Sequence, residues 1–94
     1  MSRQVFDVGI VEPLALSGLS WLIKGRAIED IQIGERVYLP MAGSPGSHRL
    51  TFEIVGCRSY GRDLPGLGRM MTGEIILHGA GGDLLREDDR LLAE

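Results

Sequence analysis

Apolar residues recur at every second position along short segments of this chain, and glycine or proline bounds most of these segments. In the clearest segment, LTFEIVGCRS, the side chains of Leu50, Phe52 and Ile54 fall on one face. A period of two is typical of a β-strand with one buried face. The chain also has 14 glycines and 4 prolines, which favours many short strands joined by tight turns over long helices.

The pattern predicts six strands and two long loops. The strands span residues 5–12, 20–29, 31–39, 50–59, 73–79 and 90–93, and the loops span residues 41–49 and 60–72. The chain length suits a single domain, residues 1–94. We therefore predict an all-β fold, a small closed six-stranded antiparallel barrel, because closure removes the sheet edges that a short aliphatic domain would otherwise have to protect.

Two segments nearly repeat one another, IQIGERVYL at residues 31–39 and LLREDDRLL at residues 84–92. In each, a Gly or Asp precedes an acidic residue, an arginine and an apolar run, so Asp88 stands where Gly34 stands. Asp is among the few non-glycine residues that tolerate a left-handed conformation. Taken alone, DLLREDDRLLAE also suits a helix capped by Asp83. The repetition instead favours one type of turn, used twice, that leads into a strand of the barrel wall.

The charge is modest overall and uneven along the chain. The net charge is −3, and Lys24 is the only lysine among ten cations. Residues 58–72 hold three arginines and one aspartate, whereas residues 83–94 hold five acids and two arginines. Proteins that coat bare phosphates are usually strongly basic, so generic nucleic-acid coating is disfavoured. Two solvated surfaces of opposite sign explain the distribution most simply.

In order and spacing, these segments resemble the second domain of the translational GTPases, the family of elongation factor Tu. The matching segments are VFDVGIV, KGRAIEDIQIGERVYL, LTFEIVGCRSYGRDLPGLGRMMTGEIILHG and LLREDDRLLA. The resemblance implies a six-stranded barrel that contacts RNA, either the acceptor end of aminoacyl-tRNA or small-subunit ribosomal RNA. The positions that match the family are Gly25, Arg26 and the strand-entering Gly34, and none of them is catalytic in the family.

The chain also departs from the family pattern. Glu35 replaces the usual Asp after Gly34, Asp88 replaces the second glycine, and Met70 and Met71 replace a small residue and a glycine. No G-x-x-x-x-G-K-[ST] motif occurs in the sequence, so no nucleotide site of that type is expected. The chain is similar to the accessory barrel without its GTPase domain.

Catalytic and metal-binding patterns are weak. Cys57 is the only cysteine and is distant in sequence from both histidines, His48 and His78, so the pattern favours a small buried side chain over a nucleophile or a metal ligand. A lone cysteine also excludes an internal disulfide, and no apolar stretch is long enough for a transmembrane span. We therefore expect a cytoplasmic, non-enzymatic protein with no cofactor, no metal and no membrane partner.

The segment RSYGRDLPGLGRMM, residues 58–71, contains most of the candidate binding residues. Arg58, Arg62 and Arg69 could grip phosphates, with Arg26 beside them, and Tyr60 could stack a base. The apolar residues of the same loop, Leu64, Leu67 and Met70, could instead dock a protein partner or a second copy of the chain. A loop without a partner is the third interpretation. RNA or ribosome binding and protein interaction are therefore two open hypotheses.

Overall fold

The computed structural model describes residues 3–14, 18–40 and 49–94. The strands are β1 (Arg3–Pro13), β2 (Ser20–Ala27), β3 (Ile31–Gln32), β4 (Arg36–Pro40), β5 (Arg49–Ser59), β6 (Arg62–Leu64), β7 (Gly66–Leu67), β8 (Thr72–His78) and β9 (Arg90–Ala93), with a 3-10 helix at Gly82–Leu84. The predicted loop at residues 41–49, which includes His48, lies outside the described residues except for Arg49, where β5 begins.

Six of these strands form a closed antiparallel barrel. Their order around the wall is β4-β9-β1-β2-β8-β5, and a pairing between β5 and β4 closes the ring. The predicted all-β, six-stranded antiparallel barrel is therefore confirmed. The strand predicted at the tail is also confirmed as β9, with the 3-10 helix before it. The predicted loop at residues 60–72 is more ordered than expected, because it contains β6, which pairs with β5, and β7, which pairs with β3.

Aliphatic side chains and two phenylalanines fill the barrel. The largest fully buried side chains are Phe6, Phe52, Ile23, Ile31, Ile54, Leu67, Ile75, Leu77, Leu91, Val5, Val37 and Cys57. All six wall strands contribute at least one of them, and Ile31 and Leu67 come from β3 and β7, which pair with each other outside the wall. The interior is therefore packed by side chains, as expected for a small barrel.

The first copy of the repeated segment forms a turn before β4. Gly34 has a positive φ of 99°. Its N–H donates to the carbonyl of Ile54 at 2.7 Å, and the Ile54 N–H donates back to the carbonyl of Glu35 at 2.9 Å. Within the turn, the Glu35 N–H donates to the Gln32 carbonyl at 3.2 Å, and the Glu35 carboxylate accepts from the Gln32 N–H at 3.1 Å. The turn closes on itself and docks on β5.

The second copy makes the same set of hydrogen bonds on β1. Asp88 has a positive φ of 73°. Its N–H donates to the carbonyl of Val8 at 2.8 Å, and the Val8 N–H donates back to the carbonyl of Asp89 at 2.8 Å. The Asp89 N–H donates to the Arg86 carbonyl at 3.1 Å, and the Asp89 carboxylate accepts from the Arg86 N–H at 2.8 Å. Each bond of the first turn therefore has a counterpart in the second.

The long strands that receive these turns are also alike. In β1 the pairing register shifts between Val8 and Ile10, immediately after the residue that binds the second turn. In β5 it shifts between Ile54 and Gly56, immediately after the residue that binds the first turn. A bulge of this kind bends a strand and increases its twist. β1 and β5 therefore bend at equivalent positions along the barrel wall.

Pairings around the wall extend the correspondence to the whole barrel. Phe6 of β1 lies opposite Leu91 of β9, and Phe52 of β5 lies opposite Val37 of β4. Equivalent residues themselves meet at two places, Ile23 with Ile75 and Tyr38 with Leu92. The barrel therefore consists of two three-stranded halves, β1-β2-β4 and β5-β8-β9. The halves are related by a pseudo-two-fold axis that passes through these two meeting points.

Candidate nucleic-acid interface

The two halves differ most in one connection. Residues 14–19 join β1 to β2, whereas the longer segment 60–71 joins β5 to β8 and contains β6 and β7. Five of the seven predicted contact residues lie in this longer connection. The strands common to both halves form the barrel itself. We therefore expect a specific function in the segment that only one half contains.

Tyr60 lies at the tip of this connection. Tyr60 and Gly61 form a two-residue turn between β5 and β6, with positive φ values of 52° and 75°. Ser59 pairs with Arg62 across the hairpin. Two positive φ values in a two-residue loop are the signature of a type I′ turn, whose twist matches that of the flanking strands. Tyr60 is 98% exposed, so the turn presents its ring to solvent.

The sheet register brings Arg26 to the same end of the barrel. Arg26 of β2 pairs with Thr72 of β8, and the Ser59 hydroxyl of β5 donates to the Thr72 carbonyl at 3.0 Å. β5 in turn pairs with β6 through Ser59 and Arg62. Arg26 and Arg62 are therefore separated by three strand spacings, about 14 Å, with Tyr60 between them.

Arg69 and Met70 lie beside Arg26 in the turn that precedes β8. The Met70 N–H donates to the Ala27 carbonyl at 2.8 Å, and the Ala27 N–H donates to the Met71 carbonyl at 2.8 Å. The backbone N–H of Arg69 donates to the Asp30 carboxylate at 2.7 Å. Met70 has a positive φ of 68° and is 57% exposed. The turn is thus fixed to the end of β2 by its backbone, which leaves its side chains at the surface.

We call Arg26, Tyr60, Arg62 and Arg69 the arginine edge. Within residues 3–14, 18–40 and 49–94, the guanidinium groups of its three arginines form no ion pair. The three arginines, on β2, on β6 and in the turn before β8, therefore place positive charge at one end of the barrel, although Asp7 lies opposite Arg26 in the β1–β2 pair.

Arg58 belongs to a different environment. It lies opposite Glu74 in the β5–β8 pair, and its Nε is 3.4 Å from the Asp63 carboxylate. That Nε atom is buried and makes no hydrogen bond to a described residue, so the ion pair is not well aligned. Because two carboxylates already face Arg58, we expect it to contribute less to an anionic partner than Arg62 or Arg69.

The structure corrects the predicted docking role of Leu67. Leu67 is only 1% exposed. It lies in β7 opposite Ile31 of β3 and belongs to the hydrophobic core. A substitution such as Leu67→Asp would therefore bury an unpaired charge and unfold the barrel rather than report on a partner. Leu64 is half-buried against the core. In the predicted loop, only Met70 remains an exposed apolar side chain apart from Tyr60.

Exposed apolar residues that the sequence did not single out lie at the β1–β2 side of the barrel. Leu14 and Leu19 flank the connection between these strands and are 48% and 39% exposed. Leu84, in the 3-10 helix that contacts β1, is 44% exposed. The segment LALSGL was the available sequence signal, but a turn composition does not show which leucines stay outside the core.

Cys57 is a core residue. It is 1% exposed, and burial, with a smaller contribution from Glu35, raises the pKa of its thiol. A raised pKa disfavours the thiolate that a nucleophile or metal ligand needs. In the described part of the chain, no group of three or more His, Cys, Asp or Glu side chains could hold a metal ion, and no helix is long and apolar enough to cross a membrane.

A shallow depression of about 530 Å³ lies on the wall at β4, β5 and β9. Arg49 lines it: its guanidinium stacks 4.2 Å from the centroid of the Tyr38 ring and lies 2.6 Å from the Glu94 carboxylate. The hydrogen bond from Arg49 lowers the pKa of Glu94. Both charged groups are exposed, so the pair is screened by salt and contributes little to stability. The ion pair and the ring therefore form part of the lining of the depression.

Comparison with protein-family models, with curated proteins and with solved structures gave no match. The barrel architecture is shown by the strand pairings alone. The likeness to the second domain of the translational GTPases remains a prediction from the sequence.

Proposed function

We propose that this barrel is a non-enzymatic, cytoplasmic RNA-binding module that works like the second domain of a translation factor, on the ribosome or tRNA, through the arginine edge. The observation that carries the proposal is that three arginines, which form no ion pair within the described residues, lie at the same end of the barrel as an almost fully exposed tyrosine. They come from β2, the β5–β6 hairpin and the turn before β8. Phosphate groups pair with arginine, and bases stack on tyrosine, so this combination suits RNA better than an uncharged partner.

The modest net charge of −3 fits a local contact rather than a wrapped nucleic acid. The acidic tail, residues 83–94, comprises the end of the 3-10 helix, a turn and β9, which pairs with β1 and β4; of its acids, Asp88 lines the same depression as Arg26. Binding is therefore expected to be confined to one end of the barrel.

Replacing Arg26, Arg62 and Arg69 together with alanine should weaken RNA binding and reduce its salt dependence. Each phosphate contact to a single strand contributes about 0.7 to the slope of log K against log salt concentration, so three lost contacts remove about 2. The measurement is a titration of tRNA and of purified small ribosomal subunits at several salt concentrations, starting from low salt.

The matched control replaces Arg3, Arg36 and Arg86 with alanine. These arginines also form no ion pair within the described residues, and their loss changes the net charge by the same amount, but they lie outside the arginine edge. The control should keep the wild-type slope. Equal losses in both triple variants would mean that only overall charge matters, and no affinity of the wild type at low salt would refute the proposal.

A second candidate function is supported by the exposed apolar side chains at the other side of the barrel. Leu14, Leu19 and Leu84 could dock a second copy of the chain, since apolar side chains in such a position lose solvent-exposed area on association. Leu14→Asp combined with Leu84→Asp should then convert an oligomer to a monomer without unfolding it, as measured by sedimentation velocity across a range of protein concentrations. A wild type that stays monomeric throughout would rule out this self-association.

A further inference from the structure

We infer that the RNA bound by the arginine edge is single-stranded and that one of its bases stacks on the ring of Tyr60. This inference rests on the proposed function and specifies its ligand. It depends on three properties of Tyr60: its near-complete exposure, its unfavourable backbone conformation, and its position between arginines on both sides.

The Tyr60 side chain does not pack against the rest of the barrel. The residue is 98% exposed, and within the described residues its ring takes part in no hydrogen bond or ring contact. A large aromatic ring that is left in water forfeits the free energy that burial would provide. The usual structural reason for a tyrosine, packing with a satisfied hydroxyl, therefore does not apply here.

The backbone makes tyrosine a poor choice for this turn. Tyr60 has a φ of 52°, in the left-handed region where bulky residues are outliers. The first position of a type I′ turn is normally Asn, Asp or Gly, which adopt that conformation more easily. Residues held in such conformations cluster at ligand-binding and other functional sites. A tyrosine that is both unpacked and conformationally disfavoured is thus best explained by what its side chain binds.

The hairpin also fixes the backbone that carries the ring before a ligand arrives. β5 and β6 pair on both sides of the turn, through Ser59 with Arg62 and Arg58 with Asp63, and Gly61 supplies the second positive φ. The backbone of Tyr60 is therefore fixed. A tyrosine has only two side-chain torsions to restrict, so stacking on it costs little conformational entropy.

The geometry favours a single strand over a duplex. In a helix each base already stacks on its neighbours, so no base face is free for an aromatic side chain, whereas unstacked bases of loops and single strands are available. Arg62 lies next to the turn that carries Tyr60, and Arg26 lies two strand spacings from it, about 10 Å. Phosphates on both sides of a stacked base are therefore within reach of long arginine side chains.

The test compares Tyr60→Asn with Tyr60→Phe. Asn fits the type I′ turn better than Tyr, so the first variant removes the ring without weakening the hairpin, and its thermal midpoint should not fall. Phe keeps the π-face and loses only the hydroxyl. The probes are a fluorescein-labelled 12-mer of uridine, the 12-mer of deoxyuridine and a 12-base-pair RNA duplex, with binding followed by fluorescence anisotropy at low salt.

We expect the wild type to bind the single-stranded RNA at least about 10-fold more tightly than the duplex. Tyr60→Phe should stay within about 3-fold of the wild type, and Tyr60→Asn should bind about 5- to 150-fold more weakly, the range measured for loss of one base–aromatic stack. If Tyr60→Asn binds as well as the wild type, or if the duplex binds as tightly as the single strand, the inference is wrong while the proposed function stands.

Tighter binding of the deoxyuridine 12-mer than of its RNA counterpart would overturn the assignment of the ligand as RNA. If no RNA binds, including tRNA and ribosomal subunits, then the proposed function itself fails and this inference with it. These outcomes are distinguishable. The stacking test compares the affinities of Tyr60→Asn and Tyr60→Phe, whereas failure of the proposed function is seen when the wild type itself binds no RNA.

Discussion

Phe6→Ala and Phe52→Ala should destabilise the barrel severely and to a similar extent. Both side chains are essentially fully buried, and they occupy equivalent positions in the two halves, each opposite an aliphatic residue of the neighbouring strand. Truncating a buried Phe typically costs about 3–5 kcal/mol through lost burial and the cavity left behind. For a domain of this size, that corresponds to a decrease of at least about 12 °C in the thermal midpoint.

The measurement is chemical denaturation of both variants, with Val55→Ala as the control. Val55 is the bulge residue of β5, three positions from Phe52, and is 44% exposed, so its truncation should change the free energy of unfolding by no more than about 0.5 kcal/mol. If Phe6→Ala unfolds the protein while Phe52→Ala is tolerated, the two halves are alike in geometry but not in their contribution to stability.

The repeated turn could be found in the sequence because it is short and its conformation is local. Positive φ favours Gly, Asn or Asp, and an acidic residue one position later can accept the backbone hydrogen bond that closes the turn. The pseudosymmetry of the strands could not be found in this way. Phe6 and Phe52 are 46 residues apart, whereas Gly34 and Asp88 are 54 apart. No single period runs through the chain, because the connections of the two halves differ in length.

The candidate site shows the same division between local and non-local signals. The sequence pattern predicts Tyr60 in a loop as a candidate binding residue, and it is exposed, but the β5–β6 hairpin that presents it is visible only in the structure. The burial of Leu67 could not be predicted, because a strand of two residues has no detectable period. Its environment is set by β3, far away in sequence. Likewise, Arg26 and Arg62 lie at the same end of the barrel because of the register of the strands between them, which the sequence pattern does not reveal.

Gly25→Ala should lower the free energy of unfolding of the barrel. A Cβ atom on Gly25 would overlap the carbonyl oxygen of Asp7 on the neighbouring strand and lie 2.9 Å from a ring carbon of Phe6. A side chain could rotate away from such a clash, but a backbone carbonyl cannot, so β1 and β2 would have to separate. Inserting one methyl group into a packed site usually costs about 1–3 kcal/mol, and we expect about 3 kcal/mol or more here because the obstacle is main chain.

Gly68→Ala is the matched control for this change. A Cβ atom there would meet only Met71 Sδ at 3.6 Å and the Asp30 carboxylate at 3.9 Å, which are ordinary contact distances. Thermal and urea unfolding should therefore show little change, or a gain of about 0.4–1 kcal/mol from the reduced entropy of the unfolded chain. This prediction depends only on the distance between two strands, and not on the predicted resemblance of this segment to the translational GTPases. A stable Gly25→Ala variant would mean that β1 and β2 do not approach as closely as the pairing of Asp7 with Arg26 requires.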